Sequence, residues 1–244
     1  MRFFDPAAEG KGEGFAHFSP AHLLWLAGGT VLVALLCVLY CRGTAKRRRI
    51  MRPAVTLTAM ALQLSRAGLF LAAGEYGLTR LPLHLCSLFI YLAALHALRP
   101  GELLGQFLYA FCFPGAVFAL LFPDWTGCPP WHFLTLCAFL VHFLPCGYVL
   151  MRLFAGELQA EIRKAPACLG LMAGLALPVY AFDRLTNTNY MFLNWPSPAS
   201  PLEWFAFLGR PGYLLGYVPL LAGVWLLLYL PPALARRNAK NDGL

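Results

Sequence analysis

Seven apolar runs, at 20–41, 53–72, 81–98, 103–122, 131–153, 165–182 and 213–230, decide what this chain can become. At about 1.5 Å of rise per helical residue, each spans or nearly spans a hydrocarbon core of about 30 Å. A bilayer offers no partner to an unpaired N–H or C=O, so each run must close its own hydrogen bonds as an α-helix. An all-α, polytopic transmembrane bundle of about seven helices follows. The residue balance agrees, with 59% of the 244 residues hydrophobic and 12% charged, where soluble domains carry roughly a quarter charged. The runs at 81–98 and 165–182 are short for a crossing, which calls for little tilt or for help from their flanks.

The basic residues set the expected orientation. Alternate connections and the C-terminus carry Arg42, Lys46, Arg47, Arg48, Arg49, Arg52, Arg99, Arg152, Arg163, Lys164, Arg236, Arg237 and Lys240, whereas the opposite side has only Arg2, Lys11, Arg80, Arg184 and Arg210. The positive-inside rule then puts the N-terminus outside and the C-terminus in the cytoplasm. This predicts an extracytoplasmic segment at 1–19, a membrane domain at 20–231 with a long outer loop at 183–212, and a basic cytoplasmic tail at 232–244. The first run follows Asp5, Glu9 and Glu13 and ends in a basic cluster without a small-residue cleavage site, so it reads as a permanent helix.

The net charge of +8 does not point to nucleic acid, because the cations sit at the ends of apolar runs and line no polar face. Of the eight cysteines, Cys37, Cys86, Cys112, Cys137, Cys146 and Cys168 fall inside apolar runs, where they read mostly as small packing residues. The Cys and His spacings match no tetrahedral metal pattern, and no cofactor is expected.

Function is sought where polar groups interrupt the apolar runs. Arg66 costs about 2.5–3.5 kcal/mol at a helix centre on insertion scales and needs a partner or a use. Gln63 shares its face, and Glu75, Asp183 and Glu203 are the nearest acidic candidates. His84, Cys86, Ser87 and Tyr91 cluster near the outer end of the third run. With Pro82 in the first turn and Thr79 as cap, helical phase groups His84 with Ser87 and Tyr91 and turns Cys86 toward Leu83 and Ile90. His142, beside Pro145 and Gly147, is a general-base candidate next to an expected kink. Breaks are also expected at Pro114 and Pro178. The polar run that holds Asn187, Asn189 and Tyr190 either lines a headgroup site or forms a turn. The apolar stretch 202–208 is too short to cross and is expected at the outer interface as a belt or lid.

Two motifs, Leu81-Pro82-Leu83-His84-Leu85-Cys86-Ser87-Leu88 and Asn189-Tyr190-Met191-Phe192-Leu193, make the chain resemble the YwaF-like family of bacterial integral membrane proteins. The resemblance implies a bacterial inner-membrane location and a distant similarity to eukaryotic transmembrane lipid acyltransferases and hydrolases. It also implies Cys86 as nucleophile and His84 or His142 as its base, with Ser87 the alternative nucleophile on helical phase.

The expected function is therefore an outer-leaflet cavity that binds a membrane lipid or other amphiphile and, by the resemblance, transfers or hydrolyses an acyl group. Arg66, Gln63, Tyr91, Asn187, Asn189 and Tyr190 are the candidate binding residues. Two other classes stay open: a small-solute transporter or channel, with Arg66, His84 and His142 along a pathway, and a non-catalytic membrane partner subunit.

Overall fold

The computed structural model describes residues 3–5, 14–197 and 200–241, with side chains to Leu234. Seven principal helices appear among them: α1 (Pro20–Cys41), α2 (Ala45–Ala72), α3 (Leu85–Leu98), α4 (Glu102–Leu121), α5 (Phe133–Phe154), α6 (Ala165–Thr186) and α7 (Tyr217–Asn241). All except α3 contain stretches long and apolar enough to cross a membrane. The protein is a multi-pass helical membrane protein, with no strand among the described residues.

Two helix starts differ from expectation. Helix α2 begins eight residues before the predicted 53, because the Thr44 side chain accepts the Arg47 N–H at 3.3 Å and caps a first turn made of the basic residues. Helix α3 begins at Leu85 and not at Leu81. A proline disfavours helical backbone in the residue before it, and Leu81 is extended at φ −63°, ψ 148°. Thr79 lies in a separate 3₁₀ turn, Leu78–Arg80, and caps nothing in α3, while Pro82 precedes the helix. The predicted tail also begins as helix, since α7 runs through Pro231 and Pro232 to Asn241. Residues 1–2, 6–13 and 242–244, which include Arg2, Lys11 and Glu9, lie outside the described residues, as do the side chains of Arg236, Arg237 and Lys240.

The centre of the bundle is α5, whose apolar window is 78% buried where those of α1 and α2 are 22%. It packs against α1, α2, α3 and α4. At Gly29 of α1 any Cβ would overlap the Phe143 ring, so glycine lets α1 approach α5 closely there. Trp25 stacks on Phe139 at 4.9 Å, and His22, fully buried, accepts the Phe18 N–H and donates to the Leu120 carbonyl at 2.8 Å.

Prolines release carbonyls that other helices then use. Pro114 has no N–H for the Ala110 carbonyl four residues back, α4 widens into a π-turn over Leu108–Cys112, and Trp225 of α7 donates to Ala110 O at 3.0 Å. Reciprocally, Pro232 leaves the Leu228 carbonyl without its helical donor, and the Tyr109 hydroxyl donates to it at 2.6 Å.

Successive helices alternate in direction, so one end of the bundle collects residues 40–52, 96–106 and 148–164. There the Glu157 carboxylate accepts from the Tyr40 hydroxyl (2.6 Å), Arg52 (2.7 Å) and Arg152 (3.3 Å), with Arg48 at 3.6 Å. Arg152 also donates to the buried His96 ring at 3.0 Å, and Lys164 pairs with Glu102. Burial raises the Glu157 carboxyl pKa, but the Tyr40 and Arg52 hydrogen bonds together with the charge of Arg52 and the Arg152 contact outweigh it, leaving the pKa below its ordinary value. This end carries the excess of positive charge, and we predict that it faces the cytoplasm. A single cysteine introduced at Lys46 should resist a membrane-impermeant maleimide added to intact cells and react after permeabilisation. Labelling without permeabilisation would reverse the topology.

Candidate functional site

The opposite half of the bundle holds a half-open cavity of about 810 Å³, within the range that accommodates organic ligands. Helix α2 contributes Gln63, Arg66 and Phe70 to its wall, and α3 contributes Cys86, Ser87 and Tyr91. Phe111, Pro114 and Phe118 come from α4, His142 from α5, Leu169 and Met172 from α6, and Tyr217, Leu221 and Val224 from α7. His84, Asp124, Trp125, Met191 and Phe192 enter from connections. Gln63, Arg66, His84, Cys86, Ser87, Tyr91 and His142 thus line one cavity. Asn187, Asn189 and Tyr190 are not part of it.

The late start of α3 is what admits Cys86. Because His84 is the N-cap, with extended backbone at φ −65°, ψ 146°, the helical phase that separates positions 84 and 86 does not apply, and both face the cavity. The expectation that Cys86 packs away from His84 fails for that reason. Cys86 sits in the first turn, where amide N–H groups lack helical acceptors, next to Ser87.

The two histidines differ in tautomer. Nδ1 of His142 lies 2.6 Å from the Ala138 carbonyl, which can only accept, so Nδ1 carries the hydrogen and Nε2 the lone pair. That Nε2 is buried without a hydrogen-bond partner, and the Trp125 ring stacks on the imidazole at 4.7 Å. In His84, Nδ1 accepts the Met191 N–H at 3.2 Å, so its lone pair is already taken and Nε2 carries the hydrogen. Of the two, His142 is built as a proton acceptor and His84 as a donor.

Arg66 makes no ion pair with a carboxylate among the described residues; neither Glu75, Asp183 nor Glu203 is its partner. Its charge acts on Cys86, His84 and His142, as does that of Asp124, a residue the sequence does not single out because it sits in a loop beside a proline. A half-buried guanidinium lining a largely apolar cavity suits an anionic group.

The asparagine run folds a loop. Asn187 ends α6 in the left-handed conformation, and the Asn189 side chain accepts the N–H groups of Asn194 and Trp195. Asp183, fully buried, accepts the Thr188 hydroxyl and the Tyr190 N–H, and the Tyr190 hydroxyl donates to Leu78 O. Met191 and Phe192 are both left-handed, at φ 52° and 54°, a conformation that costs a bulky residue about 1–3 kcal/mol. Past Pro198, which is outside the described residues, the 3₁₀ helix Pro201–Leu208 turns Leu202 into the cavity and leaves Trp204 and Phe207 74% and 81% exposed.

A family model described as the TMEM164 family matches residues 17–229. The chain belongs to the TMEM164 family. The match covers all of α1 to α6 and the cavity-lining part of α7, and it carries the multi-pass membrane character. The match does not carry the YwaF-like bacterial assignment, which rested on two short motifs, nor the bacterial inner-membrane location. No curated protein and no solved structure matched the chain of this TMEM164 family member.

Proposed function

We propose that the cavity binds a membrane lipid by its anionic headgroup and moves an acyl chain through a thioester on Cys86. The observation that carries this is one cavity lined by a thiol in the first turn of α3 and by a buried imidazole whose Nε2 lone pair is unused. In the first step His142 Nε2 takes the Cys86 proton and the sulfur attacks the ester carbonyl carbon, sending the C=O electron pair to oxygen. Collapse breaks the C–O bond to the lipid backbone, and the departing alkoxide takes the proton back from His142. An acceptor hydroxyl, or water, then gives its proton to Nε2 and attacks the thioester, which returns the thiol.

The remaining geometry supports the same assignment. None of the cavity-lining residues belongs to the Glu157 cluster at the basic end, which favours a binding site over a continuously open channel. The apolar lining suits acyl chains, and Arg66 with Gln63 suits a phosphate. The test is protein in micelles incubated with a phospholipid of defined chains, quenched in acid and digested. A hydroxylamine-labile acyl mass on the peptide that contains Cys86 is the expected result. Its absence under turnover conditions would overturn the thioester step.

Arg66→Gln is expected to raise KM for an anionic phospholipid about tenfold or more, with kcat changed far less, because the charge acts on the headgroup and not on the reacting carbonyl. Arg210→Gln, which removes a guanidinium stacked over Trp195 outside the cavity, should leave both unchanged. Equal behaviour of the two variants would take the headgroup away from Arg66.

A further inference from the structure

We infer that His84 is a hydrogen-bond donor to the oxygen of the reacting carbonyl, held in its Nε2–H tautomer by the strained Met191–Phe192 turn. The inference rests on the acyl-transfer assignment above and gives His84 a role opposite to that of His142. The tautomer follows from geometry alone: the Met191 amide can only donate, it donates to Nδ1, and the neutral ring must then carry its hydrogen on Nε2.

The surroundings fix that arrangement far more tightly than turn formation needs. The Tyr190 N–H goes to Asp183 and the next amide, Met191, goes to His84. Both left-handed residues have their carbonyls tied, Met191 O by the Tyr217 hydroxyl at 2.8 Å and Phe192 O by the Tyr213 hydroxyl at 2.7 Å. The Tyr190 and Phe192 rings pack on the His84 imidazole, at 5.0 and 5.5 Å. Two bulky residues in left-handed backbone persist only where the surroundings over-determine them, and such spots cluster at sites that need a group held still. What is held still here is a ring on the cavity wall, two residues from the thiol. Charge develops on the carbonyl oxygen as sulfur attacks, and a pre-oriented donor at that place stabilises the transition state more than the ground state.

The experiment compares two reactions at the same sulfur. Alkylation of Cys86 by a long-chain N-alkyl iodoacetamide displaces iodide and creates no oxyanion, whereas acyl transfer does. In His84→Leu, kcat for phospholipid turnover should fall roughly 10²–10³-fold while the alkylation rate stays within about twofold, and His84→Gln, which keeps an N–H donor, should recover part of the loss. A parallel fall in alkylation, or an unchanged kcat, would overturn the donor role while leaving the thioester on Cys86 intact. Absence of turnover and of the acyl mass in the unsubstituted protein would instead remove the acyl-transfer assignment itself, and this inference with it. A readout independent of any substitution at His84 is ¹⁵N-histidine NMR in micelles. The His84 ring is expected as the neutral Nε2–H tautomer, and the Nδ1–H tautomer would overturn the inference.

Discussion

Cys86→Ala should lose the hydroxylamine-labile acyl adduct completely and lower phospholipid turnover by about 10³-fold or more, because Cys86 is the thiol that lines the cavity and the thioester forms on its sulfur. His142→Gln should lower turnover roughly 10²–10⁴-fold, the range for removing a general base, while leaving the protein inserted and folded. Ser87→Ala separates the two hydroxyl and thiol candidates. Its hydroxyl lines the cavity beside Cys86, so a modest loss is expected and not an abolition. Turnover is measured as product formed from a phospholipid of defined chains by mass spectrometry. Normal turnover in Cys86→Ala and Ser87→Ala alike would leave the cavity as a binding site without acyl chemistry.

Glu157→Gln is the substitution expected to damage stability most. One carboxylate, with 19% of its side chain exposed, faces Arg48, Arg52 and Arg152 and accepts the Tyr40 hydroxyl. Removing one partner of a buried ion pair costs about 3–5 kcal/mol, and the partial exposure here reduces that to about 2–3 kcal/mol. The melting temperature in detergent should drop clearly, whereas Glu161→Gln, whose carboxylate lies 3.7 Å from Lys164 and is 36% exposed, should change it little. The pH dependence has a definite sign. The folded-state pKa of Glu157 is depressed, so its contribution is present above the ordinary carboxylate value near pH 4.5 and is lost as the pH falls through the lower folded value. Melting curves recorded between pH 5 and pH 3 should therefore converge for the parent and Glu157→Gln, and curves that stay parallel would contradict the assignment.

Much of the scaffold can be read from apolar length alone, since a bilayer leaves the backbone so few options. Pro20–Cys41 is predicted to the residue, and the alternation of basic connections corresponds to one end of the bundle. The misses have local causes. Thr44 adds two basic turns to α2, and Leu81 before Pro82 delays α3 by four residues. That delay also undoes the phase argument that sets Cys86 apart from His84, because helical periodicity holds only inside a helix. Asp124 and Trp125 escape notice because a loop beside a proline gives no periodic signal, yet the fold brings both to the cavity. The asparagines are legible as turn formers, but that their turn would hand an amide to His84 depends on a contact 107 residues apart in sequence. The three-arginine cluster on Glu157 is equally hidden, since counting charges gives the side of a membrane and not the partner.

The carbonyls released at Ala110 and Leu228 bear on how α7 finds its place. Lipid tails are as apolar as leucine, so a helix whose outer surface is Val218, Leu226, Leu227 and Leu230 gains little by one vertical setting over another. Two carbonyls freed by Pro114 and Pro232, each matched by an aromatic donor on the opposite helix, act as a key with two teeth. A slip of one turn, about 5.4 Å, would withdraw both at once and strand four polar groups in hydrocarbon. The indexing is set by the places where the helices are chemically incomplete, and the cavity inherits its wall of Leu221 and Val224 from it.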